Sequence, residues 1–228
     1  RGGGRLGDVP FADRADAGRR LAAALAEYRG RRPVVLALPR GGVPVAAEVA
    51  AALEAPLDLV LVRKIGLPDQ PELAMGAVVD GDGTVVVRNE DVIARGRVSE
   101  ETFARVRDAE LAEIARRRRH YLGDRPRAQV AGRVVIVIDD GVATGATVRA
   151  ALRALRRRGP AELVLAVPIG PVETLEALGR EADRVVCPEE RRQFFAIGPF
   201  YADFTQTTDA EVTAALAAHP VRPEDAAG

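Results

Sequence analysis

The chain has 228 residues, of which 47% are hydrophobic and 29% are charged, and its 33 basic side chains balance 33 acidic ones. This composition is typical of a folded globular domain and excludes a disordered chain. A net charge of zero removes the general attraction to polyanions, so neither a nucleic acid nor an anionic membrane is expected as a partner. Of the 33 cations, only Lys64 is a lysine.

Signals for a membrane or for secretion do not occur in this sequence. Cys187 is the single cysteine and cannot form an internal disulfide. No apolar run approaches the roughly 18 residues that cross a bilayer, and the segment from Arg1 to Arg5 does not resemble a signal peptide. These observations favour a cytoplasmic location. The sequence does not begin with Met, which leaves open whether the natural N-terminus is included.

Short β-rich apolar runs alternate with helical periodicity, which is the pattern of a mainly parallel sheet covered by helices on both faces. We therefore predict a doubly wound α/β fold in one domain. The predicted helices cover residues 16–28, 44–53, 99–122, 148–158, 171–178 and a segment after Thr208, where Thr208 to Glu211 fits a capping box. The predicted strands cover 34–38, 57–62, 134–138, 163–167 and 184–187, with a hairpin of 76–79 and 84–87 around Gly81-Asp82-Gly83.

The segment 134–147 has the strongest functional pattern. An apolar strand is followed directly by Asp139 and Asp140, then by a loop of small and hydroxyl residues, and then by a helix. Ligands of α/β sheets bind at the carboxyl ends of parallel strands. Free N–H groups at the helix start, with the hydroxyls of Thr144 and Thr147, suit a phosphate, and the two carboxylates suit the hydroxyls of a ribose. The pattern predicts a site for ribose 5-phosphate.

This segment resembles the signature of the type I phosphoribosyltransferases. That signature is an apolar strand, two acidic residues, three small or apolar residues and Thr-Gly-x-Thr, and residues 139–147 match every defining position. Ala146 stands where the usual form has Gly. The alternative is an exposed aspartate pair that only caps the next helix. The resemblance covers the core from about 34 to 186 and, more loosely, the segment to Phe204.

A second motif runs from Leu38 to Pro44 and resembles the pyrophosphate loop of the same family. Gly41 and Gly42 let the backbone approach a diphosphate, and Arg40 offers several donors to phosphate oxygens. In the family this loop often contains a cis peptide bond that does not precede proline. A glycine pair is common in strand-to-helix turns, but this one precedes the acid pair by about 100 residues, as in the family.

The end of the second strand, at Arg63 and Lys64, is a third candidate region. The resemblance implies a basic residue here that contacts pyrophosphate, followed by a flexible lid loop at about 67–90. We favour Lys64 and keep Arg63 as the alternative, because successive strand residues face opposite ways. A charge exposed to solvent at a strand end is an equally good interpretation.

Five of the nine aromatic residues lie in 194–204. The resemblance implies a C-terminal hood, at about 187–228, that binds the nucleobase, with Phe195 and Tyr201 as the candidate stacking rings. A small hydrophobic cluster that packs the end of the chain onto the core is the alternative for most of these rings.

Four consecutive arginines, Arg116 to Arg119, lie in an apparent helical insertion at about 91–127. On a helix they are about 100° apart and form no single basic face, and Glu113 can pair with Arg116 and Arg117. We interpret the run as a solvated helix end with internal ion pairs. An RNA-binding module remains a disfavoured alternative, because the net charge is zero.

The resemblance implies a transferase of nucleotide metabolism that moves the 5-phosphoribosyl group from phosphoribosyl pyrophosphate (PRPP) to a nitrogenous base or related nucleophile and releases pyrophosphate. It implies Mg²⁺ as the cofactor, held by Asp139 and Asp140 directly or through water, and a homodimer. The expected catalytic residues are Arg40, Lys64, Asp139 and Asp140. The residues expected to bind PRPP are Arg40, Gly41, Gly42, Lys64, Asp139, Asp140, Gly141, Val142, Ala143, Thr144, Gly145, Ala146 and Thr147. A regulator that binds PRPP or a nucleotide without turnover is the alternative function.

Overall fold

Strands and helices alternate along the chain in a computed structural model that describes residues 10–81 and 83–227. In chain order the elements are α1 (Arg14–Ala24), β1 (Val34–Ala37), α2 (Gly42–Leu53), β2 (Leu57–Leu59), β3 (Val62–Leu67), β4 (Gln70–Val79), β5 (Val85–Arg88), α3 (Glu90–Arg95), α4 (Glu100–Leu122), β6 (Val134–Ile138), α5 (Ala146–Arg156), β7 (Glu162–Ala166), β8 (Ile169–Pro171), α6 (Val172–Leu178), β9 (Arg184–Val186), β10 (Glu189–Arg191) and α7 (Asp209–Ala218). The segment from Arg1 to Arg5 lies outside the described residues.

The central sheet has five parallel strands in the order β2-β1-β6-β7-β9. Alternate strand residues point to opposite faces of the sheet. Val35, Ala37 and Ile136 pack in the layer that contains α1, α2 and α7, whereas Leu36 and Val137 pack in the layer that contains α5 and α6. Helices therefore cover both faces, and the predicted doubly wound α/β fold is confirmed.

A second sheet of three antiparallel strands, β3-β4-β5, lies next to the central one. The predicted hairpin is confirmed, with Val79 opposite Val85; Asp82 in its turn is outside the described residues. The predicted strand 57–62 is two strands, because the chain leaves the parallel sheet after Leu59 and then pairs with β4 from Val62 onward. Much of the predicted lid is thus β4 and β5, and which part of it moves stays a prediction.

The predicted helices are confirmed with small shifts at their ends. The region of the predicted insertion contains α3 and α4, and the side chain of Ser99 caps α4 by accepting from the Thr102 N–H. The capping box at Thr208 and Glu211 is present. The short parallel pair β8-β10 was not predicted, because strands of three residues leave no periodic pattern. None of the described helices is long and apolar enough to cross a membrane.

Candidate functional site

The candidate site lies at the carboxyl ends of β1 and β6, which are adjacent parallel strands with Ala37 opposite Ile138. Each strand runs into one of the two loops that the sequence singled out. The Leu38 N–H donates to the Ile138 carbonyl oxygen at 2.9 Å, so the pairing continues one residue beyond β1. The two motifs, about 100 residues apart in sequence, therefore start side by side.

Two glycines allow the first loop to lie against the second. A Cβ atom at Gly42 would lie 2.8 Å from the Ile138 carbonyl oxygen, and one at Gly41 would collide with the carboxylate of Asp140. Any larger residue would push the loops apart. The peptide bond between Pro39 and Arg40 is cis and precedes a residue other than proline, as the resemblance implied.

The two carboxylates that follow β6 have different surroundings. Asp140 accepts a hydrogen bond from Arg14 Nε at 2.9 Å, and its carbonyl oxygen accepts one from the Tyr201 hydroxyl at 2.6 Å. Asp139 Oδ1 accepts from the Asp140 N–H at 2.8 Å. Burial and, after it, the negative charge of Asp140 raise the pKa of the Asp139 carboxyl well above its ordinary value. A ligand that brings positive charge or hydroxyl donors would favour its ionised form.

The start of α5 provides a second polar feature. Gly145 adopts a left-handed conformation with φ 74° at the N-cap, and among the described residues no side chain caps this helix. Its first N–H groups therefore remain available to an anion. The loop before it is fixed from outside: Val142 donates its N–H to the Ile169 carbonyl oxygen, and Thr174 Oγ1 donates to the Ala143 carbonyl oxygen.

A cavity of about 240 Å³ opens between these loops. Pro39 of the first loop, Asp139 and Thr147 line it, together with Arg63 of β3 and Arg117 of α4. An acidic group and two guanidinium groups thus line one cavity, which suits a ligand with both hydroxyl and phosphate groups.

Lys64 and Arg63 lie on different sides of β3, as the alternation of strand side chains requires. Lys64 is exposed and lines a separate groove of about 480 Å³ between the antiparallel sheet and α5, with Thr147 at the border of the two spaces. Arg63 lines the cavity that contains Asp139. Of these two residues, Arg63, the alternative in the sequence analysis, is therefore the one that shares a cavity with Asp139, and its contact with pyrophosphate stays a prediction.

The side chain of Arg40 points toward α7. Its Nη1 lies 3.7 Å from Asp209 Oδ1, and Asp209 also accepts from the Tyr121 hydroxyl at 2.6 Å. The hydrogen bond from Tyr121 is the main reason that the pKa of Asp209 is lowered, with smaller contributions from His120 and Arg40. Arg40 is thus held at the edge of the first loop by the C-terminal helix.

The two predicted stacking rings lie in very different environments. Tyr201 is buried between Phe11 and Phe204, with ring centroids 5.3 and 5.0 Å away. Because neighbouring rings pack against it and its hydroxyl bonds Asp140, Tyr201 is placed to brace the acid pair rather than to stack on a base. Phe195 is 92% exposed, and its role in base binding stays a prediction.

Sequence reasoning missed Arg14 as the partner of Asp140 and Arg117 as a cavity residue. Arg14 is 126 residues from Asp140 in sequence, and nothing local distinguishes it from other arginines of α1. Arg117 lies inside the arginine run that was interpreted as a solvated helix end. The ion pairs predicted for that run are confirmed, since Glu113 accepts from both Arg116 and Arg117.

The donor set at the acid pair fits a magnesium ion. No group of three or more His, Cys, Asp or Glu side chains that could hold a metal occurs in residues 10–81 and 83–227. Mg²⁺ is commonly bound by one or two carboxylates, with water and substrate phosphates as its other ligands. A ligating carboxylate must be ionised, and the charge of a bound ion would offset the burial and the Asp140 charge that disfavour the ionised form of Asp139.

The fold and its two loops are those of a phosphoribosyltransferase-like α/β protein. The profile of the phosphoribosyl transferase domain matches residues 12–204. The chain belongs to this family.

The chain is similar to curated proteins and to solved structures. Two curated proteins from two strains of Mycobacterium tuberculosis, both named provisionally as phosphoribosyl transferases, are 48% identical over 206 residues, which is 90% of this chain and 46% of each relative. The chain thus spans about half the length of these relatives. The crystal structure of TT1426 from Thermus thermophilus is 43% identical, with a TM-score of 0.75, over 92% of this chain and 99% of that one.

Proposed function

We propose that the chain is a Mg²⁺-dependent phosphoribosyltransferase that transfers the 5-phosphoribosyl group of PRPP to a nitrogenous base or related nucleophile. The observation that supports this most directly is the cavity in which Asp139 and two arginines lie between the two family loops. In this reaction the bond between the anomeric carbon and the diphosphate oxygen breaks, and a bond to the nucleophile's nitrogen forms. Pyrophosphate leaves with its electron pair.

The leaving diphosphate is highly charged, so the main task of the protein is electrostatic. The guanidinium of Arg63, which lines the cavity, and the Gly41 amide would bind the departing oxygens, whereas the Gly42 N–H already donates to the Leu38 carbonyl oxygen at 3.1 Å. Arg40 and Lys64 do not line this cavity, and their contact with the diphosphate stays a proposal. The chemistry that Mg²⁺ supplies when bound is neutralisation of the diphosphate charge.

The acid pair and the α5 loop would hold the sugar phosphate. Asp139 and Asp140 would accept hydrogen bonds from the ribose hydroxyls while positive charge develops at the anomeric carbon. The N–H groups from Ala143 to Thr147 and the hydroxyls of Thr144 and Thr147 would bind the 5-phosphate, while the Val142 N–H is occupied by the Ile169 carbonyl oxygen. None of the described side chains is assigned as the base that accepts the proton of the nucleophile.

A regulator that binds PRPP or a nucleotide without turnover is the second candidate. It is favoured by the position of the two aromatic candidates, since neither Phe195 nor Tyr201 lines the cavity. The catalytic function needs a pocket for the nucleophile. Among the described residues, no aromatic side chain of the hood lines the cavity, so none is in place to stack on a base there. We further propose that the protein acts in the cytoplasm, in nucleotide metabolism, as a homodimer, without nucleic acid as a partner.

Both candidate functions require that the protein binds PRPP. Calorimetry with PRPP in the presence and absence of Mg²⁺ tests this requirement. We expect Mg²⁺-dependent binding, and no binding would refute the proposal. Release of pyrophosphate is then measured over a panel of purine and pyrimidine bases. Release with one base supports the transferase, and tight binding without release for any base supports the regulator. An Asp139→Asn variant is the matched negative control for both measurements.

A further inference from the structure

We propose that α4 forms one wall of the diphosphate side of the cavity and that Arg117 binds the diphosphate there directly. The proposal rests on the proposed function, since it assigns a further residue to the same PRPP site. It concerns the helix of the predicted insertion, for which the sequence offered no function.

The side chains of Arg63 and Arg117 are each oriented by a hydrogen bond from Nε to a glutamate of α4. Arg63 Nε donates to Glu110 Oε2 at 2.7 Å, and Arg117 Nε donates to Glu113 Oε1 at 2.9 Å. Glu110, Glu113 and Arg117 follow one another at spacings of three and four residues, so they lie on neighbouring turns of one face of α4. One helix face therefore orients both guanidinium groups that line the cavity.

Anchoring through Nε leaves the outer part of each guanidinium free to bind. Within residues 10–81 and 83–227, the Nη nitrogens of Arg63 and Arg117 form no hydrogen bond. A guanidinium offers five N–H donors in a planar fork that matches phosphate oxygens. Both side chains thus combine a fixed orientation with unused donors, which is the arrangement that a diphosphate requires.

The glutamate that anchors Arg117 keeps its negative charge. Hydrogen bonds from Arg116 first, and from Arg117 next, lower the pKa of Glu113 to about 2, so Glu113 stays ionised and keeps its two partners in place. Glu113 accepts hydrogen bonds from Arg116 and Arg117, and Glu110 accepts one from Arg63.

Arg116 is a natural control for this proposal. It donates to Glu113 at 2.8 and 2.9 Å, as closely as Arg117 does, but its side chain is 62% exposed and it does not line the cavity. A role limited to helix ion pairs would make the two arginines equivalent. A role in binding would separate them.

The test compares Arg117→Ala with Arg116→Ala by calorimetry at constant Mg²⁺, using PRPP, inorganic pyrophosphate and ribose 5-phosphate as ligands. We expect Arg117→Ala to weaken PRPP and pyrophosphate by about 10- to 100-fold, the effect of one charged hydrogen bond, and to leave ribose 5-phosphate within about twofold. Arg116→Ala should stay within about twofold for all three ligands.

Equal affinities in the two variants, while the wild type binds PRPP, would overturn the role of Arg117 and leave the proposed function intact. Equal weakening of ribose 5-phosphate and pyrophosphate by Arg117→Ala would also overturn it, since the defect would then be general. A wild type that binds no PRPP would overturn both. Arg117→Lys guards against misfolding: it keeps the charge without the fork, so we expect an intermediate loss of pyrophosphate affinity at an unchanged melting temperature.

Discussion

Two pairs of aspartates in this molecule each lie beside a largely buried arginine, but the two sites differ in how many of their carboxylates have an arginine partner. At the first, Arg127 lies between Asp58 and Asp80, with Nε 3.0 Å from Asp58 and Nη1 2.6 Å from Asp80. The two aspartates are 1% and 3% exposed. The N–H groups of Leu59 and Ala128 donate to Asp58 as well, so this site is complete without any ligand.

At the second site the arginine serves only one of the two carboxylates. Arg14 pairs with Asp140 at 2.9 Å, while Asp139 accepts the Asp140 N–H and faces the cavity. Burial and the charge of Asp140 raise the pKa of Asp139. The first site shows that both carboxylates of a buried aspartate pair in this protein can have an arginine partner. The carboxylate of Asp139, which has no arginine partner among the described residues, is therefore best explained as a ligand group. The substitutions below test this contrast between the two sites.

The largest expected effect is on folding, from Arg127→Met. The substitution leaves Asp58 and Asp80 buried without their main cation, and breaking a buried ion pair in this way costs about 3–5 kcal/mol. The free energy of unfolding in urea measures it. Arg118→Ala is the matched control, because Arg118 is 46% exposed and lies 3.5 Å from Asp80; we expect about 1 kcal/mol or less. Similar losses in both variants would contradict the contrast.

Asp139→Asn should lower turnover but raise the stability of the protein. Removal of one preorganised charged group lowers turnover by about 10²–10³, so PRPP-dependent pyrophosphate release should fall by at least about 100-fold. The melting temperature should rise, by about 2–4 °C for each kcal/mol recovered, because a disfavoured buried charge is removed. Asp58→Asn is the control, because it should lower the melting temperature. A lower melting temperature for Asp139→Asn as well would argue against a carboxylate without a partner at residue 139.

Arg14→Ala should remove the direct arginine partner of the second site. It removes the partner of Asp140, a hydrogen bond to the Thr205 carbonyl oxygen and the stacking of the guanidinium 4.0 Å from the centre of the Phe204 ring. We expect a loss of about 1–3 kcal/mol of unfolding free energy, together with weaker PRPP binding. Arg19→Ala, on the exposed side of the same helix, should change neither quantity by more than about 0.5 kcal/mol.

The smallest effect is on pH dependence. A carboxyl whose pKa is raised by folding contributes stability below its unfolded value, about 3.9 for Asp, and loses that contribution as the pH rises through the folded value. The stability difference between Asp139→Asn and the wild type should therefore be near zero below about pH 4 and grow as the pH rises, by at most about 1.4 kcal/mol per pH unit. Urea unfolding at several pH values measures it, and a difference that shrinks as the pH rises would contradict the assignment.

Local patterns predicted the features that depend on neighbouring residues. The Val-rich strands, the acid pair at the end of β6 and the two glycines of the first loop were predicted in place, because each combines a local conformation with a short sequence pattern. Arg14 was missed because its partner is 126 residues away. The ambiguity between Arg63 and Lys64 had a different cause: alternation shows that they face opposite ways, but only the packing of α4 on β3 decides which of them faces the cavity.

The buried contact between Phe11 and residues 200–202 has a practical consequence. Phe11 exchanges backbone hydrogen bonds with Phe200 and Ala202, and its ring packs on Tyr201, whose hydroxyl bonds Asp140. The acid pair is thus fastened by two segments that are remote from it in sequence. Trimming the chain just before α1 would remove Phe11 from Tyr201 while every strand of the central sheet and α7 remain, so we expect a shortened protein to fold and to hold the carboxylates less firmly.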